Sequence, residues 1–322
     1  MKIEAKDRID GVVFGTAIGD ALGYPVEFMS MEQIVDVHGR VEDYVGPRNK
    51  GGAALYTDDT QMFRAVCEGL AMVSDWENLE SAAEAVAQEF VDWSVSPDNT
   101  RAPGASCMAG CRALRDGKPW GEAGPESGGC GAAMRSMAYG IWHDTPKYAA
   151  YWASEHANMT HRHPMGRASA AAVAAIVSAL RAGVDPVGAV EIGAHAAWGL
   201  DEETGWMIED AMVMAESARL DVSQGRMGAL EQMLDKNRGW AGHEAVAASV
   251  FCFILFPDSF EDAVLAAVNS PGDSDSLGAI TGSFSGAYLG GLAIPTAWVQ
   301  QIEDMKGLRD LADKLYQLKL PF

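Results

Sequence analysis

The sequence predicts an all-α protein, and three observations carry that reading. Apolar residues recur with helical spacing in nearly every segment, Met62, Val66, Leu70 and Val73 among them. Alternating apolar and polar runs, which a half-buried strand needs, are almost absent. Glycine returns at every fourth position in two places, at Gly11, Gly15, Gly19 and Gly23 and again at Gly278, Gly282, Gly286 and Gly290, drawing a smooth ridge along one helix each time.

A glycine costs a helix about 1 kcal/mol relative to alanine, so four in register predict central helices whose backbones approach closely. Asp20, Thr281, Ser283 and Ser285 interrupt the apolar surface, which argues against a membrane dimer built on the same spacing. The most apolar helical stretch, residues 168–180, is too short and alanine-rich to span a bilayer. Glycine, proline and aspartate clusters at residues 45–54, 96–105, 118–131 and 269–275 predict the loops, where any function should sit. No stretch of linker composition and no repeat of domain length divides the chain, so residues 1–322 are expected to form a single domain.

A hydrophobic content of 48% with 21% charged residues belongs to a soluble globular chain able to bury a large core. The net charge of −21, with no run of lysines or arginines, repels nucleic acid and anionic lipid, so neither a nucleic-acid partner nor a membrane is expected. A phosphate-bearing substrate would need local compensation from metal ions, backbone amides or helix amino-termini. Cys67, Cys107, Cys111, Cys130 and Cys252 are scattered and form no zinc knuckle, and reduced thiols suit a cytoplasmic location. Residues 1–10 alternate charges without the apolar core of a secretory signal.

Two acidic clusters stand out. Thr57-Asp58-Asp59-Thr60-Gln61 precedes a periodic helix, where Thr57 or Asp58 can cap the amino-terminus and Gln61 can close a capping box. Gly272-Asp273-Ser274-Asp275-Ser276 precedes the second ridged helix. Capping explains an acid at either place, but not crowded acids at the mouth of a deeply packed helix, because like charges buried together call for a cation. Carboxylate and hydroxyl oxygens suit magnesium, manganese or calcium rather than zinc. An EF-hand is excluded, since Leu277 stands at a ligand position and Phe284 where the closing glutamate belongs, and no Walker loop occurs.

Taken in order, five stretches resemble the ADP-ribosylglycohydrolase family across nearly the whole chain. They are Gly19-Asp20-Ala21-Leu22-Gly23 running on to Pro25 and Glu27, the Thr57–Thr60 cluster, Ser127-Gly128-Gly129-Cys130-Gly131-Ala132-Ala133-Met134-Arg135, Thr160-His161, and Gly272 to Ser276. The resemblance implies an orthogonal helical bundle with a dinuclear magnesium or manganese centre held by Thr57, Asp58, Asp59, Asp273, Asp275 and Ser276. Serine at 276 stands where the family usually has threonine, keeping the oxygen and losing a methyl that restricts the rotamer. Glu27 matches a loop glutamate near the metals and is the candidate for proton transfer, with Asp58 and Asp59 orienting the attacking water. Ser127, Gly128, Gly129, Cys130 and Gly131 match the turn around the diphosphate, and His161 matches a substrate-side histidine.

Two departures concern substrate contacts: Cys130 replaces an asparagine of some relatives, and Pro103-Gly104-Ala105-Ser106 replaces a Gly-Asn-Thr of many. The expected activity is hydrolysis at the anomeric carbon of ADP-ribose linked to a protein side chain, preferably arginine, through a transition state of oxocarbenium character. Serine-linked ADP-ribose, a small molecule bearing ADP-ribose, and a non-catalytic ADP-ribose-binding relative remain alternatives at this point.

Overall fold

The computed structural model describes residues 3–73, 78–220, 230, 234 and 238–319. Met1 and Lys2, the start of the segment weighed above as a leader, lie outside the described residues. The helices run α1 (Ala5–Gly23), α2 (Met31–His38), α3 (Asp58–Ala71), α4 (Leu79–Ser94), α5 (Ala105–Arg115), α6 (Met137–Trp142) and α7 (Pro146–Ala157). They continue as α8 (Pro164–Arg181), α9 (Pro186–Trp198), α10 (Glu202–Leu220), α11 (Gly242–Leu255) and α12 (Phe260–Val268), and close with α13 (Ser274–Leu289), α14 (Thr296–Gln301) and α15 (Met305–Leu318). Among the described residues there is no strand, only isolated bridges, so the expected all-α class is what the chain adopts.

The two glycine ridges meet each other. A methyl group added to Gly11, Gly15 or Gly19 would fall 2.1, 2.2 or 2.0 Å from the carbonyl oxygens of Gly286, Gly282 and Gly278 respectively. α1 and α13 therefore run antiparallel at a separation only hydrogen side chains allow. The fourth rung departs from the sequence reading: Gly23 faces the backbone of Ser274, while Gly290 lies past the helix end at φ +84°, against Asp7. Gly290 is the left-handed residue that terminates α13, a role four-residue spacing alone does not distinguish from a ridge position.

Around this pair, α8 carries an almost wholly buried alanine-rich face and packs between α7 and α9, and α11 packs against α10 and α13. Arg8 ties the far end together by donating to the carbonyls of Leu180, Ala287 and Tyr288 at the ends of α8 and α13. Among the described residues no helix is long and apolar enough to cross a membrane. The antiparallel pairing has one consequence for function: it sets the amino-terminus of α13 beside the carboxy-terminus of α1, and there the acids gather.

Candidate metal centre and active site

Asp20 is the hub of that junction. It sits near the end of α1, fully buried, and its carboxylate accepts from the amide and hydroxyl of Thr57 and from the amide and hydroxyl of Thr60. Those bonds hold the start of α3 against α1. Thr57 is the N-cap of α3 and accepts from the Asp59 amide, but Gln61 closes no capping box. Its amide donates to the Asp98 carbonyl and its oxygen accepts from the Trp93 indole, so tertiary partners displace the local one expected from sequence.

The second cluster arrives on α13. Asp273 is the N-cap by position yet makes no side-chain cap bond, which leaves its carboxylate for another purpose. Ser276 donates through Oγ to Asp59 Oδ1 at 2.8 Å, and Thr57 Oγ1 lies 3.5 Å from Asp275 Oδ2. Two segments more than two hundred residues apart in sequence thus share hydrogen bonds. Glu27, Asp273 and Asp275 each offer a carboxylate oxygen within 4.8 Å of the others, a spacing that could hold an ion. Asp58 Oδ2 accepts from the Gly104 amide at 3.1 Å, which pins the loop leading into α5 to the cluster.

The loop carrying Glu27 is anchored to the same place. Phe28, at φ +58°, donates its amide to the Gly272 carbonyl, and Gly272 donates back to Met29. Gly272 itself sits at φ +111°, where an added methyl would meet the Arg238 carbonyl at 2.0 Å, so glycine is required. Left-handed backbone at a non-glycine residue costs on the order of 1–3 kcal/mol, and here it turns Glu27 toward the acids.

Burial first, and repulsion from Asp275 and Asp20 after it, pushes Asp59 well above the usual carboxylate range, and burial likewise dominates the upward shifts of Asp58 and Asp273. Asp20 is raised to about 7 by burial and then by Asp275, and Glu27 to about 8 by burial and then by Asp275 and Asp20. Among the described residues none of these acids joins an ion pair; Arg101 pairs with Glu303, and Arg135 donates to Gly131 and Thr160. Such a crowd ionises together only around cations. The donor set is oxygen throughout apart from Cys130, whose thiol lies 3.2 Å from Asp273 Oδ2 and 3.6 Å from Ser276 Oγ. Hard divalent ions therefore fit these residues.

The cleft above the acids is lined by Glu27, Asp58, Asp59, Asp273, Asp275 and Ser276 on one side and by Gly129, Cys130, Gly131 and His161 on the other. Thr57 stands behind the wall, and Ser127 and Gly128 support the turn rather than line it. The Ser127 hydroxyl accepts from Ser106 and the Gly128 carbonyl from Gly242. The amides of Gly129 and Cys130 are already spent on Ser127 Oγ and the Trp240 carbonyl. Of the four loops singled out in the sequence, residues 96–105, 118–131 and 269–275 reach the cleft and residues 45–54 do not. Trp240, 53% exposed at the rim, was not among the sequence candidates; it is placed by the bridge between Gly129 and Ala241, a tertiary contact without a local signal.

Fold and acid-lined cleft together define a helical hydrolase. The chain belongs to the ADP-ribosylglycohydrolase family, whose sequence profile matches residues 1–321. It is 27% identical to the ADP-ribosyl-(dinitrogen reductase) glycohydrolase of Rhodospirillum rubrum, over 95% of this chain and 93% of that one. It is 26% identical to an ADP-ribosylarginine hydrolase of Pseudomonas putida, over 97% of this chain and 79% of that one. The solved structure of an ADP-ribosylglycohydrolase-related protein complex shares the fold at a TM-score of 0.75 and 22% identity, covering 98% of this chain and 99% of that one.

Proposed function

We propose that the protein removes ADP-ribose from arginine side chains of modified proteins, using two magnesium or manganese ions held by Thr57, Asp58, Asp59, Asp273, Asp275 and Ser276. The observation that carries this reading is the junction of the two acidic clusters through Ser276 and Asp59 at the floor of an open cleft. The arginine preference rests on the name of the Pseudomonas relative, an ADP-ribosylarginine hydrolase, together with the motifs read above.

When bound, the divalent cations supply Lewis-acid stabilisation of ribose oxygens and acidify water at the anomeric carbon. The chain's own groups do the rest. Asp58, with Gly104 donating to one of its oxygens, and Asp59, with Ser276 donating to the other side, are fixed acceptors that orient a water for attack. Glu27, held by the strained Phe28 turn, takes the proton of that water and delivers it to the departing guanidino nitrogen as the C–N bond breaks. The rim formed by Gly129, Cys130, Gly131 and His161 binds the phosphate side of the substrate.

Calorimetry with ADP-ribose tests the reading, with and without manganese, on the native chain and on Asp58→Ala. Binding should need the ion and vanish in the variant; equal affinity in every arm would sink the proposal. Release of free ADP-ribose from arginine-linked but not serine-linked peptides would then establish the acceptor.

A further inference from the structure

Behind the cleft, a buried hydrogen-bond chain has a fixed direction. Arg135 is 2% exposed and joins no ion pair among the described residues; its guanidinium carbon lies 4.6 Å from the centre of the Phe90 ring. It donates from Nη1 to the Gly131 carbonyl at 2.8 Å and from Nη2 to Thr160 Oγ1 at 2.7 Å. A guanidinium has no acceptor, so the Thr160 oxygen can only receive at that contact. The same hydroxyl, wholly buried, has one proton of its own, and His161 Nδ1 lies 2.9 Å away. Among the described residues Thr160 Oγ1 meets no other acceptor.

Two arrangements are conceivable. If His161 carried its proton on Nδ1, the Thr160 oxygen would receive from both neighbours and its own proton would be stranded. A buried donor left unpaired costs about 1–3 kcal/mol. If Nδ1 is bare, every member of the chain is satisfied. We propose that Arg135 and Thr160 act as a one-way donor relay that locks His161 in the neutral tautomer protonated at Nε2, so that the cleft presents a fixed N–H donor at this point.

The geometry gives that donor a place to act. His161 Nε2 lies beside the glycine turn, 3.4 and 3.2 Å from where side-chain carbons on Gly129 and Gly131 would sit, and it meets no hydrogen-bond partner among the described residues. A methyl on Gly131 would press on His161 Cε1 at 2.7 Å, so the turn is shaped around the ring. Burial, with Arg135 second, holds the ring down to about 3, which keeps it uncharged. Resting on the function proposed above, the relay makes His161 a donor to an acceptor-only group of the substrate, a phosphate oxygen, and disqualifies it as a general base. Arg135 and Thr160 are positioning residues.

Nitrogen-15 NMR of the imidazole rings in the full-length, ligand-free protein tests the relay, with the His161 resonances assigned from His161→Gln. Near neutral pH the native ring should show a pyrrole-type Nε2 and a pyridine-type Nδ1. Thr160→Val, close in shape, should pull the two shifts toward each other as the second tautomer becomes populated, and Thr160→Ser should restore the separation. A pyrrole-type Nδ1 in the native protein, or native shifts in Thr160→Val, would overturn the relay. Because the rings are read without ligand, these shifts decide the relay whether or not ADP-ribose binds. Where it does bind, Thr160→Val should weaken its affinity about tenfold, or ~1.4 kcal/mol, and Thr160→Ser should not.

Discussion

Cys130 is the residue at which the proposed metal site departs most visibly from an all-oxygen donor set. Its thiol donates to Asp273 Oδ2, fixing which way that carboxylate turns. Groups that orient a metal ligand typically contribute 10- to 100-fold to metal affinity. Cys130→Ala should therefore weaken manganese binding by about tenfold or more in calorimetric titration, whereas Cys130→Asn, which supplies an amide donor, should keep most of it. An unchanged affinity in the alanine variant would show that Asp273 is oriented by other means. The carboxylates themselves were legible in the sequence because adjacent acids at a packed helix mouth are hard to explain otherwise. Asp20 was visible as a polar break in an apolar ridge and as part of a family-like stretch, but not as the hub of the site, since its four acceptor bonds depend on α3 docking against α1.

At the scale of the element, the α1 and α13 pair makes the sharpest demand on side-chain size. Alanine at Gly19 would bring a carbon to 2.0 Å of the Gly278 carbonyl oxygen, which is backbone and cannot swing aside. Forcing a methyl into a packed interface typically costs about 1–3 kcal/mol, and a pair this tight belongs at or above the upper end. Gly19→Ala and Gly282→Ala should lower the thermal midpoint by several degrees or prevent folding, while Gly121→Ala, with nothing within 4 Å, should leave it unchanged. Equal midpoints for all three would contradict the packing. Three of the four rungs could be read from spacing alone. The fourth could not, because periodicity does not reveal where a helix stops, and Gly290 lies just past the end.

Across the whole molecule, acid crowding ties stability to pH and to metal. The folded pKa values of Asp20 and Glu27, about 7 and about 8, lie above the ordinary values of 3.8 and 4.5, so without cations the folded state holds protons more tightly than the unfolded one. That contribution is fully present below the ordinary values and is lost as pH rises through the folded ones. In chelator, the thermal midpoint should fall between about pH 5 and about pH 8, and manganese or magnesium should raise it more at the higher pH. A metal effect of equal size at both would count against a carboxylate centre. We also propose that residues 1–322 unfold as a single domain, which the same scans test by showing one transition. The all-helical class was legible throughout, because helical periodicity is local. The cleft's rim was less so, because Trp240 and the Glu27 turn are placed by contacts between distant loops.

The antiparallel partnership of α1 with α13 also sets a timetable for the newborn chain. Thr57, Asp58 and Asp59 leave the ribosome early, but Asp273, Asp275 and Ser276 emerge only when most of the polypeptide has been made. Contacts spanning such a stretch form slowly, after the entropy of closing a long loop has been overcome. A nascent chain halted before α13 would hold half of the candidate oxygen donors and no partner for its first glycine ridge, so the proposed ion site could be completed only in the last step of folding.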